Sequence, residues 1–301
     1  MTTFTSKTFK SILTLTTASF ALFAGEALLA PQAAFADDCL LDRNNNGDVD
    51  LSDDDGGANS FNVNSRLACG VDATATGDFS TALGYNSEAT MNNTTAVGAA
   101  AHATGLRSTA IGTASDATME DSTAVGDNSQ ATGIRSTAVG ERAEATMTDA
   151  TAVGQDAQAT GLRSTALGES TDATMTDATA VGSLAQATGL RSTALGGRAE
   201  ATMTNATAVG EDAQATGAGA TAIGAGNGSL HSARASGEGS VALGGAVQAD
   251  GTTLISAGAF AAQDGAIAIG SGSVTAQSND CLLYTSPSPR DQRGSRMPSS
   301  A

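Results

Sequence analysis

The sequence predicts an all-β chain wound as a parallel β-roll, a solenoid of fourteen-residue turns, and three observations lead there. The tetrapeptide Thr-Ala-(Val/Ile/Leu)-Gly begins at Thr81, Thr95, Thr109, Thr123, Thr137, Thr151, Thr165, Thr179, Thr193, Thr207 and Thr221, always fourteen residues apart. Composition opposes an ordinary globular core, because 301 residues include no Trp, two Tyr and eight Phe against 36 Gly. Large side chains are too few to fill a thick interior. Fourteen residues are also too few for a helix-turn-helix repeat, whereas Thr, Val and Ile punctuated by Gly favour short strands and turns.

Residues 1–36 read as an export signal. Lys7 and Lys10 supply a positive start, Ile12 to Ala30 an apolar stretch diluted by Thr and Ser, and Ala34-Phe35-Ala36 a small-x-small cleavage pattern before Asp37. The apolar run is short and interrupted for a spanning helix. The mature chain is expected to begin near Asp37, outside the cytoplasm, where a disulfide can persist.

Residues 37–70 read as an N-terminal cap. Pairing Cys39 with Cys69 would close a loop of about thirty residues and stabilise it by roughly 3 kcal/mol, the alternative being two free thiols. Within the cap, Asp42, Asn44, Asn46, Asp50 and Asp53 place oxygen donors at loop positions one, three, five, nine and twelve, Asp48 offers a backbone carbonyl at seven, and Gly47 stands at six. That spacing lets a single loop wrap a structural calcium ion, with Gly permitting the sharp turn. Asp53 replaces the usual Glu and flanking amphipathic helices are not evident, so the loop is closer to dockerin-type modules than to a sensor EF-hand. The plainer reading is an acidic, solvated segment.

Residues 71–277 read as the roll. With the repeated Thr as position one, positions nine and ten are Ala-Thr from Ala89-Thr90 to Ala215-Thr216, position eight is polar, and position seven is small. Each turn is then two short strands and two corners. Side-chain alternation, combined with the apolar character of position three, assigns positions one, three, seven and nine to the interior. Turns stacked at the strand spacing of about 4.8 Å would make the stretch from Thr81 to Gly224 roughly 50 Å long.

The two glycine positions differ. Gly84, Gly98, Gly112, Gly126, Gly140, Gly154, Gly168, Gly182, Gly196, Gly210 and Gly224 recur at position four without exception, which suits a positive φ or a close backbone approach. Position eleven instead alternates Gly77, Gly105, Gly133, Gly161, Gly189 and Gly217 with Met91, Met119, Met147, Met175 and Met203, so that corner cannot require positive φ. A two-turn super-repeat results. It also alternates charge at position thirteen through Arg107, Asp121, Arg135, Asp149, Arg163, Asp177 and Arg191. In-register stacking would set each Arg one strand spacing from an acid, a ladder along one edge, unless the alternation only reflects duplication of a two-turn unit.

At these residues the chain resembles the head domain of trimeric autotransporter adhesins of the YadA type, whose repeats are similar to Ser108-Thr109-Ala110-Ile111-Gly112 and Ser240-Val241-Ala242-Leu243-Gly244. The resemblance runs from about Ala68 to Gln277. It implies a left-handed parallel β-roll, a homotrimer, and display on a Gram-negative outer membrane, with membrane attachment only through a C-terminal anchor that this chain lacks. Thr at position one and Met at position eleven depart from the family pattern. After Gly224 the repeat carries a six-residue excess before Val241 resumes it, and Ile267-Ala268-Ile269-Gly270 is the last good rung. Residues 278–301, with their abrupt Pro, Ser and Arg content, read as translated sequencing-adaptor sequence rather than as a genuine disordered tail.

The formal charge of -17 opposes nucleic acid as a partner. His102 and His231 are the only histidines, no His-based triad is assembled, and no phosphate-binding Gly-Lys-Ser/Thr occurs. The expected function is therefore non-enzymatic: a surface adhesin head that attaches to extracellular matrix, cells or surfaces through multivalent display. The expected cofactor is none beyond structural calcium. The repeated Thr at position ten, from Thr76 and Thr90 onward, supports an alternative as a single outward rank of an ice-binding solenoid. A phage-fibre-like structural solenoid is the other alternative, opposed by the export signal.

Overall fold

A computed structural model of the chain describes residues 59, 65–226, 232–245, 247–248, 254–256, 258–275 and 281–283. Among these residues there is no helix. Three-residue strands, Thr81–Leu83 and its equivalents, form a fifteen-stranded sheet, and two-residue strands, Glu88–Ala89 and its equivalents, form a fourteen-stranded sheet. Each strand pairs in parallel with the one a turn later and in strict register: Thr81 with Thr95, Ala82 with Ala96, Leu83 with Val97. The fold is the predicted parallel β-roll.

The stack exceeds the expected limits of 71 and 277 at both ends. Its first rung is Leu67–Cys69, inside the segment read as a cap, and its last is Cys281–Leu283, paired with Ile267–Ile269. Asn59 adds one further bridge, to Thr74.

The interior is narrower than the sequence reading allowed. Ala at positions two and nine and Ala, Ser or Thr at seven and fourteen are fully enclosed, and the largest completely buried side chains are Thr94 and Thr171. The expectation that Thr at one and the branched residue at three point inward is corrected. Ala82 and its equivalents occupy the middle of each three-residue strand and face inward, so both neighbours must face outward. Between the strands themselves every enclosed position from Ala68 to Ala268 is Ala, and Ser and Thr are enclosed only beside the corners, so the gap between the sheets does not take Val, Ile or Leu. Leu83, Ile111 and Ile223 accordingly lie 39 to 43% exposed. The strand preference of branched residues was real, but it carried no information about which face they occupy.

Most buried serines satisfy their hydroxyls within the corner that bears them, whereas Ser108 and Ser232 Oγ find no partner among the described residues. Ser87 Oγ donates to the Gly84 carbonyl at 3.0 Å and Ser136 Oγ to the Gly133 carbonyl at 2.6 Å. A buried hydroxyl without such a partner would cost roughly 1–3 kcal/mol.

The two corners of a rung are built alike, so the fourteen-residue turn is two seven-residue halves. The amide of position seven donates to the carbonyl of four, as Ser87 to Gly84 at 3.3 Å, and the amide of fourteen to that of eleven, as Ser108 to Gly105 at 3.1 Å. Positions six and thirteen both lie at positive φ, with Asn86 at 53° and Arg107 at 58°. Each such residue gives its amide to the preceding turn: Asn86 to Val71 O at 2.8 Å, Arg107 to Asn92 O at 3.0 Å. These bonds help offset the roughly 1–2 kcal/mol that a left-handed conformation costs a residue with a Cβ.

Gly84 fulfils both expectations for position four. Its φ is 138°, and a Cβ there would lie 2.4 Å from the Gly98 carbonyl oxygen. At position eleven the glycines have no left-handed φ, but the expectation that this corner needs no positive φ is corrected, because position thirteen adopts it, as at Arg107. Space still demands the glycines: a Cβ on Gly105 would lie 2.0 Å from the Met119 carbonyl oxygen.

Two excursions interrupt the stack, both at the corner after position four. The first leaves at Gly224 and returns at Ala233, whose amide reaches the Gly224 carbonyl at 3.2 Å; the second leaves at Gly244 and returns at Ala259, at 2.8 Å. Val241 pairs with Ile267, twenty-six residues on, so a second and longer excess was missed in the sequence. It contains an antiparallel pair, Val247–Gln248 with Leu254–Ser256. Parallel pairing resumes each time, Gln214 with Arg234 and Arg234 with Phe260.

Candidate interaction surfaces

The alternation that buries Ala82 and Ala89 gives each sheet an outward surface of fixed composition. On the fifteen-stranded sheet it consists of the Thr column at position one beside the Val, Ile and Leu column at position three, without a charged residue from Thr81 to Leu243. On the fourteen-stranded sheet it consists of Glu, Gln, Asp, His and Arg at position eight beside the Thr column that follows at ten. Thr76 Oγ1 donates to the Thr90 carbonyl at 3.0 Å, along the stack. The chain thus has two outward Thr ranks on opposite sheets, where one was expected.

Charge pairs edge the corner between the sheets. Arg107 holds Asp121 through Nε–Oδ1 at 2.6 Å and Nη2–Oδ2 at 2.7 Å, and the Arg135–Asp149 and Arg163–Asp177 pairs repeat this two-pronged geometry. Arg191 donates to Asn205 Oδ1 at 2.9 Å. These bonds all run from an Arg to the residue one turn later, so the column is a series of two-rung clasps. The Arg guanidinium, mainly through its hydrogen bonds, holds the carboxyls of Asp121, Asp149 and Asp177 below the usual range.

The opposite corner carries a second column that sequence reasoning missed. Arg142 grips Asp156 at 2.6 Å and Arg198 grips Asp212 at 2.6 Å, while Glu141 and Glu211 also pair with the two arginines. Hydrogen bonding to Arg142 lowers the Asp156 carboxyl as well. The signal was available as opposite charges fourteen residues apart at position six. It was overlooked because Asn, Ala, Ser and Leu fill that position elsewhere.

Other candidate residues fall as follows. Cys69 is in a disulfide; Cys281 sits on the last strand of the stack, at the opposite end, and Cys39 lies outside the described residues. The calcium-loop residues Asp42, Asn44, Asn46, Asp48, Asp50 and Asp53 also lie outside them, as does His231. His102 lies on the polar sheet surface, its Nδ1 2.8 Å from Asp116 Oδ1. Burial raises the Asp172 carboxyl on the same surface. Among the described residues no group of three or more His, Cys, Asp or Glu could hold a metal ion, and no helix is long and apolar enough to cross a membrane.

The YadA head domain repeat, a family model of two copies, matches the chain at residues 67–87, 89–115, 117–143, 145–169, 173–199, 201–227 and 231–246, more than half of its length. Most of these stretches span close to two turns of the roll, the same unit in which Gly alternates with Met and Arg with Asp. No curated protein matches the chain.

Proposed function

Because the chain belongs to the family of YadA head domain repeats, an adhesin-type head, we propose that it is the head of an exported homotrimeric surface adhesin that attaches to extracellular matrix or to cell-surface ligands. The observation that carries the reading is the outward surface of the fifteen-stranded sheet. An uncharged, in-register face of Thr and aliphatic side chains runs from Thr81 to Leu243 in a chain whose net charge is -17. Such a face gains from being covered by two further copies, and closed cyclic assembly leaves the polar sheet outward.

Attachment then arises on the polar surface. Its position-eight side chains and Thr column repeat at about 4.8 Å, and three copies multiply weak equivalent contacts without requiring a deep pocket. In this reading the protein is non-enzymatic and extracellular, and the segment from Asp37 up to the first rung at Leu67 caps the roll with a bound structural calcium ion. Beads coated with the chain should adhere to a surface bearing matrix protein or cells and release when free chain competes. Equal adhesion to uncoated glass would overturn it. Calorimetry of the chain with Ca²⁺ that gave no heat would remove the calcium site.

A second reading draws on the outward Thr at position one. A flat, charge-free array of hydroxyls and methyls at strand spacing also fits ordered water, the requirement of an ice-binding surface. A monomeric chain with thermal hysteresis would favour this reading, and a trimer without hysteresis would exclude it.

A further inference from the structure

We propose that Met91, Met119, Met147, Met175 and Met203 form a stoichiometric reaction surface for two-electron oxidants of the hypohalous-acid and peroxide class. The five occupy the same corner on alternate rungs. Each is 43 to 47% exposed, whereas among the described residues the enclosed interior contains no methionine.

The corner holds the backbone of these residues while leaving their side chains outside. The Met91 carbonyl accepts Thr94 Oγ1 at 2.6 Å, the Met119 carbonyl accepts Ser122 Oγ at 2.6 Å, and the carbonyls of Met147, Met175 and Met203 accept the amides of Ala150, Ala178 and Ala206 at 3.1 Å. The intervening rungs cannot carry a side chain at this position, since a Cβ on Gly133 would lie 2.1 Å from the Met147 carbonyl oxygen. Successive methionines therefore stand two rungs, about 9.6 Å, apart. Met follows the Thr at position ten, which borders the fourteen-stranded sheet. Position eleven belongs to neither the Thr column at one nor the aliphatic column at three, so the inference does not need that face to be free.

The chemistry requires only the oxidant and water. With hypochlorous acid, the sulfur lone pair attacks chlorine and hydroxide leaves; water then adds at sulfur, chloride departs and protons are released. The net change is thioether plus hypochlorous acid to sulfoxide, chloride and one proton. With a peroxide the sulfur attacks oxygen, the O–O bond breaks and water or an alcohol leaves. Cys69 is already in a disulfide, so among the described side chains no thiol outcompetes the thioethers. A sulfoxide in a packed core disrupts it; here the added oxygen meets solvent and the roll loses no buried contact.

The test is a titration of the full chain with one to ten equivalents of hypochlorous acid, and separately of hydrogen peroxide, followed by peptide mass mapping and circular dichroism. One added oxygen is expected on each of the five residues, at rates within about threefold of one another, with the β-sheet spectrum retained. A variant with all five changed to Leu should take up about five fewer equivalents of oxidant. Protection of any of the five by about tenfold or more relative to free methionine, loss of the β-sheet spectrum on oxidation, or unchanged uptake by a folded Leu variant would each overturn the proposal. Mapping of the unsubstituted chain decides the matter even where the Leu variant does not fold.

Discussion

Gly140→Ala should break the roll at one rung. Gly140 has φ of 137°, in a region that L residues rarely adopt, and forcing a side chain there costs on the order of 1–3 kcal/mol. The new Cβ would also lie 2.3 Å from the Gly154 carbonyl oxygen and 2.6 Å from its carbon. Relief requires the next turn to move, which strains the Gly154 amide bond to the Val139 carbonyl, now 2.8 Å. Overpacking of this kind adds roughly 1–3 kcal/mol, so the total should be about 2–6 kcal/mol. Gly133→Ala provides the control, because its Cβ would meet Met147 O at 2.1 Å without a left-handed φ. Each rung touches only its neighbours, so the loss should be local. Hydrogen exchange should accelerate in the rungs beside residue 140 before those near either end, and urea unfolding should separate into two transitions. Stability within about 1 kcal/mol of the unsubstituted chain would refute the steric account.

Other expectations follow from the same geometry. Arg163→Asp should lower Tm more than Arg163→Ala, because it replaces the clasp on Asp177 with a like charge facing Asp149 and Asp177; equal shifts would leave the column without an energetic role. Asp121, Asp149, Asp156 and Asp177 have lowered carboxyl pKa values when folded. Their contribution is present above the unfolded carboxylate pKa of about 3.9 and is lost as pH falls through the folded values. Asp172 has the opposite sign: its raised pKa means that protonation removes a penalty as pH falls. Thermal melts between pH 7 and 3 should therefore show a net acid destabilisation, made shallower by changing Arg107, Arg135, Arg142 and Arg163 to Gln. Leu184 sits exposed at φ 59°, and Leu184→Asn should stabilise by about 0.5–1 kcal/mol, read from the denaturation midpoint.

Much of this fold was legible because the repeat is strict. Thr-Ala-(Val/Ile/Leu)-Gly in constant phase set the register, and the invariant position-four glycine announced the corner that the Gly98 backbone approaches. The inward face was misread because strand alternation fixes only which residues share a side; the apolar character of Val and Leu was allowed to choose it. Interior volume decides otherwise, since Ala fills every enclosed strand position from Ala68 to Ala268 and the larger Ser and Thr enter only beside the corners. The left-handed residues at positions six and thirteen were missed for a related reason. Asn and Asp, which favour this conformation, share them with Arg, Ala, Ser and Leu, which do not, and at the latter the amide bond to the preceding turn maintains it. The second excursion, after Gly244, was legible but overlooked: Asp250-Gly251 stands as a turn signal between Val247–Gln248 and Leu254–Ser256, and attention stayed on the rung that Ile267 resumes.

The most direct test of the account is the solution mass of the chain and its response to charge on the aliphatic face. Sedimentation equilibrium should give about three times the 29.4 kDa chain. Val139→Lys combined with Val153→Lys should reduce it to a single chain that keeps its β-sheet spectrum, since both residues face outward and their removal leaves the interior of Ala, Ser and Thr intact. A monomeric unsubstituted chain, or a trimer that tolerates both lysines, would contradict the claim that this face joins the copies.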